Sequence, residues 1–389
     1  MLKKRFFGRL ILTVGVMLVF SLIGCDDGSG NDDGGGVNLP PSSGTNEVAG
    51  ITLYLSNYSK IVFASAGTAF EVFSRSSSGP TDYTEELVEE GLYSYNSESK
   101  TLTLAIEYTY WLDGNGNRTK MNKTQAVNAE LKRFDDSIAY IRSNYDAFAR
   151  GRAASDFISN NLSQEQRNNF YNAQRNYSGP MNYSEFAVDW LDKNGFSTNL
   201  NAAVSAWKTE NGADANSYLN MALQEMGYTN LNAYKAAYQA QIEAYFAPVA
   251  YDYQLTTDDY LLVQKKLPAN TGSNELRGNT FTANWFINMS DSSLTFTLDR
   301  FTATATSGTE TVTGTYAYNS ADKRVWFRPD NINNQTMTQF YASTSGYSGW
   351  GSSGSAANKA AETNERFGLR SESYSLNPNR IGYYPSSNE

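Results

Sequence analysis

Hydrophobic and polar positions along the chain follow two different periods. In residues 101–110, and again in residues 294–305, apolar side chains alternate with polar ones, many of them threonine. This period of two is typical of half-buried β-strands. From residue 122 to about residue 250 the apolar period becomes 3.6, which indicates helices. The pattern therefore predicts two β units separated by a helical segment.

The helical segment begins with an amphipathic pattern that covers three heptads. Its apolar residues are spaced alternately four and three positions apart: Val127, Leu131, Phe134, Ile138, Ile141, Tyr145 and Phe148. Asn122 and Gln125 have the spacing of a capping box at its start. Further helices are predicted at 163–173, 183–193, 200–209, 215–226 and 231–245, with breaks at glycines. We interpret the segment as a small bundle; an exposed partner-binding helix is the alternative.

The two β units share an internal duplication. Residues 91–100 (GLYSYNSESK) recur at 314–323 (GTYAYNSADK), and residues 46–52 (NEVAGIT) recur upstream at 274–280 (NELRGNT). Four or five strands per copy are too few to close a barrel. The predicted fold class is therefore α+β: duplicated antiparallel β units forming one barrel or sandwich, with an inserted α-helical bundle.

The N-terminus has the pattern of an export signal. A basic start (Lys3, Lys4, Arg5, Arg9) precedes an apolar run over residues 10–23, which is shorter than the about 20 apolar residues of a membrane span. Residues 22–25 (Leu-Ile-Gly-Cys) then resemble the lipobox of bacterial lipoproteins. The resemblance implies acylation of Cys25, with palmitate among the acyl groups, as the mature N-terminus. An ordinary signal peptide or a membrane anchor is the alternative.

These observations predict six segments along the chain. They are a signal peptide (1–24), a flexible acidic Gly-rich tether (25–45), the first β unit (46–112), the helical insertion (122–250), the second β unit (251–332) and a Gly/Ser-rich C-terminal segment (333–389). The last contains a short helix at 356–367 and a strand near 381–384. As a Gly-rich coil, the tether has a root-mean-square reach of about 25 Å.

Composition excludes several function classes. The formal charge is −9 and becomes −13 when the signal peptide, with four basic and no acidic residues, is removed. Nucleic acids and anionic lipid surfaces are bound through dense Lys and Arg, so we expect no nucleic-acid partner and little affinity for anionic lipid surfaces. There is no histidine, and Cys25 is the only cysteine. Histidine- or thiol-based catalysis and metal sites are therefore excluded; we predict no enzyme, metal or cofactor. Carboxylate or Ser–Lys chemistry remains open.

Two motifs imitate chemical sites. Ser97 with Lys100, and Ser320 with Lys323, match the S-x-x-K of serine acylases, which needs the serine at a helix start. Both pairs fall in predicted hairpin turns, so we interpret them as turn residues. Residues 113–117 (DGNGN) resemble the start of a calcium loop, but Arg118 and Thr124 stand where glycine and glutamate are required. A polar turn is the simpler interpretation.

Two further groups have a structural and a functional interpretation. Glu85, Glu86, Glu89 and Glu90 form an acidic cluster that we expect at a solvated edge. Residues 346–355 (GYSGWGSSGS) are interpreted as a structural loop. A partner-binding segment with Tyr347 and Trp350 as anchors is the alternative.

The short strands and their Gly-x-Thr openings resemble the lipocalin-like barrels of spirochaete-type surface lipoproteins, although the Gly-x-Trp of lipocalins is replaced by Gly50-Ile-Thr and Gly278-Asn-Thr. The leading hypothesis is a lipid-anchored envelope protein, at the outer membrane or cell surface, that binds a host, matrix, carbohydrate or envelope partner. A carrier of a small apolar ligand and a carboxylate-based glycan hydrolase are the alternatives. A filled barrel favours the first and an apolar cavity the second.

Overall fold

The computed structural model describes residues 38–383 except 57–58, 78–82, 113–117, 288–289, 299, 322, 333–334, 345–348, 369–371 and 378–379. The strands are β1 (Thr52–Ser56), β2 (Ser59–Phe63), β3 (Ala69–Ser77), β4 (Tyr83–Asn96), β5 (Thr101–Leu112), β6 (Arg118–Asn122), β7 (Val249–Leu255), β8 (Leu261–Lys265), β9 (Thr280–Ile287), β10 (Ser290–Phe296), β11 (Thr302–Ser307), β12 (Glu310–Asn319), β13 (Arg324–Pro329), β14 (Asn331–Ile332), β15 (Gln335–Thr336), β16 (Glu372–Asn377) and β17 (Arg380–Tyr383). The helices are α1 (Lys123–Asn161), α2 (Gln164–Arg175), α3 (Tyr183–Lys193), α4 (Ser197–Asn211), α5 (Ala215–Glu225), α6 (Leu231–Tyr245), α7 (Met337–Ser343) and α8 (Ala356–Thr363), which continues as a π-helical turn (Asn364–Gly368).

The described residues divide into two compact units. Residues 128–240 form a helical unit, and the remaining described residues form a β unit. The helical unit has two apolar cores. One is centred on Phe170 and Leu191, among α1, α2, α3 and α4, and the other on Tyr145 and Tyr218, among α1, α4 and α5. The apolar seam of α1 contributes Tyr145 to the second of these cores, which is consistent with the predicted helical bundle.

The capping box predicted at the start of α1 is present. Asn122 and Gln125 form a capping box, because each side chain accepts a hydrogen bond from the other residue's backbone N–H, at 2.9 and 3.0 Å. Helix α4 differs from its prediction because it begins at Ser197 instead of residue 200. Gly195, with a φ of +84°, lets the chain reverse at once, so the next helix starts two residues later.

The β unit contains two sheets whose strands follow the same order. The first sheet runs β1-β2-β3-β4-β5-β7-β8, with β6 paired to β5 beside this path. The second runs β9-β10-β11-β12-β13-β16-β17 and closes as β17 pairs with β9. An antiparallel meander with an odd number of strands has its first and last strands running in the same direction. The closing pair, which joins Ile381 to Ala283, is accordingly parallel.

The duplication therefore extends beyond the sequence repeat to a complete seven-stranded meander in each copy. Each copy also carries an insertion after its fifth strand. In the first copy the insertion contains β6 and helices α1 to α6, and in the second it contains β14, β15, α7 and α8. Helix α8 and the π-helical turn, which belong to the second copy by sequence, pack against β1 and β8 of the first.

The structure confirms the α+β class with antiparallel β units and a helical insertion, and it corrects the predicted pairing of the two units. They do not share one barrel, since each forms its own sheet. Strands β7 and β8, which were assigned to the second β unit (251–332), pair with β5 in the first sheet. The C-terminal segment (333–389) supplies β16 and β17 to the second sheet. A helical insertion hides these pairings because strand partners are far apart in sequence.

A single buried side chain bridges the seam between the first and last strands of the first sheet. The amide nitrogen of Asn364 donates to the carbonyl oxygens of Tyr54 in β1 and Leu261 in β8, at 2.7 and 3.0 Å. Its amide oxygen accepts from the Val263 N–H at 2.9 Å. Asn364 thus occupies the place that direct strand pairing takes in the second sheet. We call the two sheets, with this bridge included, the first and second barrels.

Candidate functional site

Both barrels carry the same polar clamp where the chain enters them. Asn46 donates to the Tyr93 hydroxyl at 2.9 Å, and Asn274 donates to the Tyr316 hydroxyl at 2.8 Å. Next to each asparagine a carboxylate pairs with the lysine of the hairpin turn: Glu47 with Lys100 and Glu275 with Lys323. The Lys100 and Tyr253 hydrogen bonds lower the pKa of Glu47, and those from Tyr318 and Lys323 lower that of Glu275. We call residues 46–50 and 274–278, which precede the first strand of each barrel, the lead-in segments. The clamp fixes each lead-in segment to its barrel.

The clamp accounts for the S-x-x-K motifs. Both motifs lie in turns between antiparallel strands, as predicted, and their lysines share a left-handed backbone, with a φ of +51° at Lys100 and +56° at Lys323. Each lysine pairs with a glutamate, and the Ser97 hydroxyl accepts a hydrogen bond from the Thr45 N–H at 3.2 Å. A lysine held in an ion pair is a poor general base, so these contacts support the turn interpretation.

The acidic cluster of β4 is divided between specific partners. Glu85 pairs with Lys60 at 2.6 Å, Glu86 with Arg118, and Glu90 with Lys120. These basic residues lie on β2 and β6, each one strand beyond the direct neighbours of β4. Each of these three carboxylates therefore has a basic partner on another strand of the sheet. The fourth carboxylate, Glu89, has a different environment.

Glu89 is partly buried, on the inward face of β4 in the first barrel. Alternation along β4 places it on the same face as Gly91 and the buried Tyr93. Its carboxyl group accepts a hydrogen bond from the hydroxyl of Tyr245. Removal from water raises the pKa of Glu89 to about 8, so the group carries a proton at pH 7. The pKa of Tyr251 is raised as well, mainly by burial and to a smaller extent by the nearby carboxyl group of Glu89.

The second barrel shows that this carboxyl group is not required by the architecture. Gly91 and Gly314 are equivalent, and in both a Cβ atom would approach a backbone carbonyl oxygen, of Ala105 at 2.2 Å or Arg328 at 2.3 Å. The barrel therefore needs glycine at this position. Two residues earlier, Glu89 corresponds to Val312, an apolar residue packed on the second core. A carboxyl group with a strongly raised pKa, at a position where the repeat has valine, is a candidate functional residue.

Both barrel interiors contain aromatic side chains in contact. In the second barrel the rings of Phe296 and Tyr316 lie 4.7 Å apart, centre to centre, and in the first the equivalent Phe63 and Tyr93 lie 4.9 Å apart. The second core comprises Leu276, Ala283, Leu294, Phe296, Ala303, Ala305, Tyr316, Tyr318, Val325 and Phe327. These side chains pack on one another inside the second barrel.

Trp350 has a structural position. Its indole N–H donates to the Ser56 carbonyl oxygen, and its ring lies 5.5 Å from that of Tyr54 and 4.9 Å from the Lys60 ammonium nitrogen. It thereby ties the segment before α8 to the first barrel, which supports the loop interpretation. Several positions singled out in the sequence lie outside the described residues. They are Cys25 with the rest of residues 1–37, Asp113, Asn115 and Asn117 of the calcium-like turn, Tyr347, and residue 384.

The described part of the chain offers no group of three His, Cys, Asp or Glu side chains suited to a metal ion. No helix within it is both long and apolar enough to cross a membrane. Comparison with known proteins adds no relative: no protein family, curated protein or solved structure matches the chain. The functional argument therefore rests on the sequence and on the geometry given above.

Proposed function

We propose that the chain is a lipid-anchored protein of the bacterial envelope that binds a protein or glycan partner through its outer surface and catalyses no reaction. The observation that carries this proposal is the core of aromatic and aliphatic side chains packed on one another inside the second barrel. A protein that holds no ligand inside its barrels must make its contacts from outside. The lipobox ending at Cys25, followed by the flexible tether, supports the anchorage.

The alternative of a lipocalin-like carrier requires free apolar volume within a barrel. Barrels of about eight strands are just wide enough to be filled by side chains or to hold one small ligand. The seven strands of the second barrel and the contact between its aromatic rings favour the filled type. The inward-facing Glu89 makes the first barrel a poor host for a wholly apolar ligand as well.

The hydrolase alternative requires two carboxyl groups that face each other across a cleft, one acting as the acid. In the β4 cluster, Glu85, Glu86 and Glu90 are each neutralised by a basic side chain. Glu89 instead accepts a hydrogen bond from the hydroxyl of Tyr245. The arrangement therefore favours a binding protein over a glycosidase.

The helical unit offers aromatic surface for a partner. Tyr171 and Tyr183 are both exposed and contact the buried ring of Phe170, at 5.2 and 5.9 Å between ring centres. Tyr140 on α1 is 65 % exposed. Tyrosine is common at binding surfaces because its ring contributes apolar area and its hydroxyl contributes a hydrogen bond. We propose the helical unit as the main partner-binding element.

Cys25→Ser is expected to abolish lipid modification. Without the thiol no acyl chain can be attached, so the precursor should keep its signal peptide and incorporate no labelled palmitate. The matched control is Ser29→Ala in the tether, which should be labelled and cleaved normally. Metabolic labelling followed by electrophoresis measures both properties, and normal labelling of the Cys25→Ser protein would contradict the anchorage.

The carrier alternative can be tested with a small fluorescent apolar probe. We expect the natural chain to show no saturable binding of one probe per molecule. Leu294→Ala is the positive control because Leu294 is fully buried in the second core, and its truncation leaves an apolar cavity that can accept a small ligand. Saturable binding by the natural chain, displaced by fatty acids, would favour the carrier.

Cell-surface exposure has a separate test. Protease added to intact cells is expected to cleave the helical unit, since the proposed location is the outer membrane or cell surface. A periplasmic protein serves as the control for envelope integrity. Protection of the chain until the cells are lysed would instead place it in the periplasm.

A further inference from the structure

One hairpin loop differs in chemistry between the two otherwise equivalent barrels. The loop after β2 in the first barrel and the loop after β10 in the second have the same length and backbone bonding. Ala64 donates to the Ala69 carbonyl, as Thr297 does to the Thr302 carbonyl, both at 3.0 Å. The backbone carbonyls of Thr68 and Phe301 accept from the N–H groups of Tyr93 and Tyr316 in the same way, at 2.8 and 2.9 Å.

The side chains of the two loops, and of the lead-in segments beside them, diverge most at five positions. Ala66 corresponds to the acidic Asp299, and at the other four positions a small residue in the first barrel corresponds to a basic or large apolar residue in the second. The pairs are Ala49 and Arg277, Ser65 and Leu298, Gly67 and Arg300, and Thr68 and Phe301. Because the first barrel forms the same loop with small residues, the four larger side chains are not needed to build it.

These four side chains form an exposed patch, which we call the basic–apolar tip. Leu298 is 68 % exposed and Phe301 is 40 % exposed, while Arg277 and Arg300 are exposed as well. The Arg277 guanidinium lies 6.0 Å from the centre of the Phe301 ring. The intervening Asp299 lies outside the described residues. The tip thus combines two large apolar side chains with two arginines.

We infer that the basic–apolar tip contacts the lipid bilayer. Leu298 and Phe301 have the chemistry to enter the acyl boundary, and Arg277 and Arg300 to pair with lipid phosphates. The rest of the chain is acidic, so an anionic membrane would repel most of its surface and favour approach by a locally basic element. The inference rests on the proposed lipid anchor, which keeps the folded part within the reach of its tether.

The single cysteine of the chain permits a site-specific test. Once Cys25 is acylated, a cysteine introduced at position 298 is the only free thiol and can carry an environment-sensitive fluorophore. The full acylated chain is reconstituted on vesicles of phosphatidylethanolamine and phosphatidylglycerol, with and without lipids that bear a quencher in the acyl chain. The matched control carries the same fluorophore at position 65, the equivalent position of the first barrel.

The expected result is a blue shift and quenching by the acyl-chain quencher at position 298 but not at position 65. Introducing the first barrel's residues as Arg277→Ala and Arg300→Gly should lower the membrane-bound fraction of the tip by about fivefold for each arginine. If the chain floats with the vesicles but position 298 is no more quenched than position 65, the inference is wrong while the anchor stands. If the chain does not float with the vesicles, both the anchor and the tip contact are overturned.

Discussion

Replacing Asn364 by alanine is expected to destabilise the first barrel by about 4 kcal/mol, since it removes three hydrogen bonds at a buried seam. The side chain of Asn364 is fully buried and joins β1 to β8. After truncation the Val263 N–H and the carbonyl groups of Tyr54 and Leu261 would be left without these partners in an interior that water does not reach. Each unpaired buried group costs about 1–3 kcal/mol.

Denaturant unfolding, followed together with amide hydrogen exchange, measures this effect. The Asn364→Ala protein should lose protection at Val263 first, while the strands of the second barrel, which β17 and β9 close directly, keep theirs. Asn172→Ala is the control because Asn172 is exposed on α2, where alanine is compatible with the helix. Equal stability of the two variants would show that Asn364 does not hold the seam.

Glu89→Gln is expected to stabilise the protein increasingly as the pH rises above 4.5, by about 5 kcal/mol at pH 9, and to change little at pH 4. The folded state keeps the Glu89 proton up to a pKa of about 8, whereas the unfolded chain releases it near the ordinary value of 4.5. The contribution of this group is therefore fully present below pH 4.5 and is lost as the pH rises to 8. The limiting slope is about 1.4 kcal/mol per pH unit.

Glu90→Gln is the matched control, because the adjacent carboxylate faces the other side of β4. Partial burial opposes its ionisation, but hydrogen bonds from Lys120 and Tyr110 prevail and lower the pKa of Glu90. Its ionised form stabilises the fold, so Glu90→Gln should lower stability at neutral pH, with the difference disappearing in acid. Unfolding measured from pH 2 to pH 9 gives both slopes, since the Glu90 slope lies below pH 4.5 and the Glu89 slope between pH 4.5 and 8. A Glu89→Gln curve parallel to that of the natural chain would contradict the interior position.

The features that the sequence predicts correctly are local ones. The seam of α1, the capping box at Asn122 and the hairpin turns at Lys100 and Lys323 each depend on residues a few positions apart. A 3.6 period, an N-cap and a tight turn are encoded within one or two turns of chain. The helix bounds at 183–193 and 231–245 accordingly match the structure.

Strand partnership could not be predicted in the same way. The pairing of Leu104 in β5 with Val249 in β7 crosses the entire helical insertion, and nothing local in either strand specifies it. The same holds for Asn364, whose role depends on a seam made by two strands far away in sequence. Register and closure are properties of the assembled sheet.

The sequence contained a signal for the candidate site that the cluster interpretation missed. Glu89, Gly91 and Tyr93 alternate, so the buried tyrosine should have indicated an inward Glu89. Alignment of the two repeats would also have placed Val312 opposite Glu89. Four neighbouring glutamates were treated as one group, although alternation along a strand sends adjacent side chains to opposite faces.

The most direct test of the proposed function is native mass spectrometry of the intact protein purified from its own membrane in mild detergent. A lipid-anchored protein with filled barrels should show the mass of the chain from Cys25 onward plus covalent acyl groups, and no further bound small molecule that collisional activation removes. A chain without acyl groups would contradict the anchor. One apolar molecule released from each folded chain would contradict the surface-binding proposal and favour the carrier.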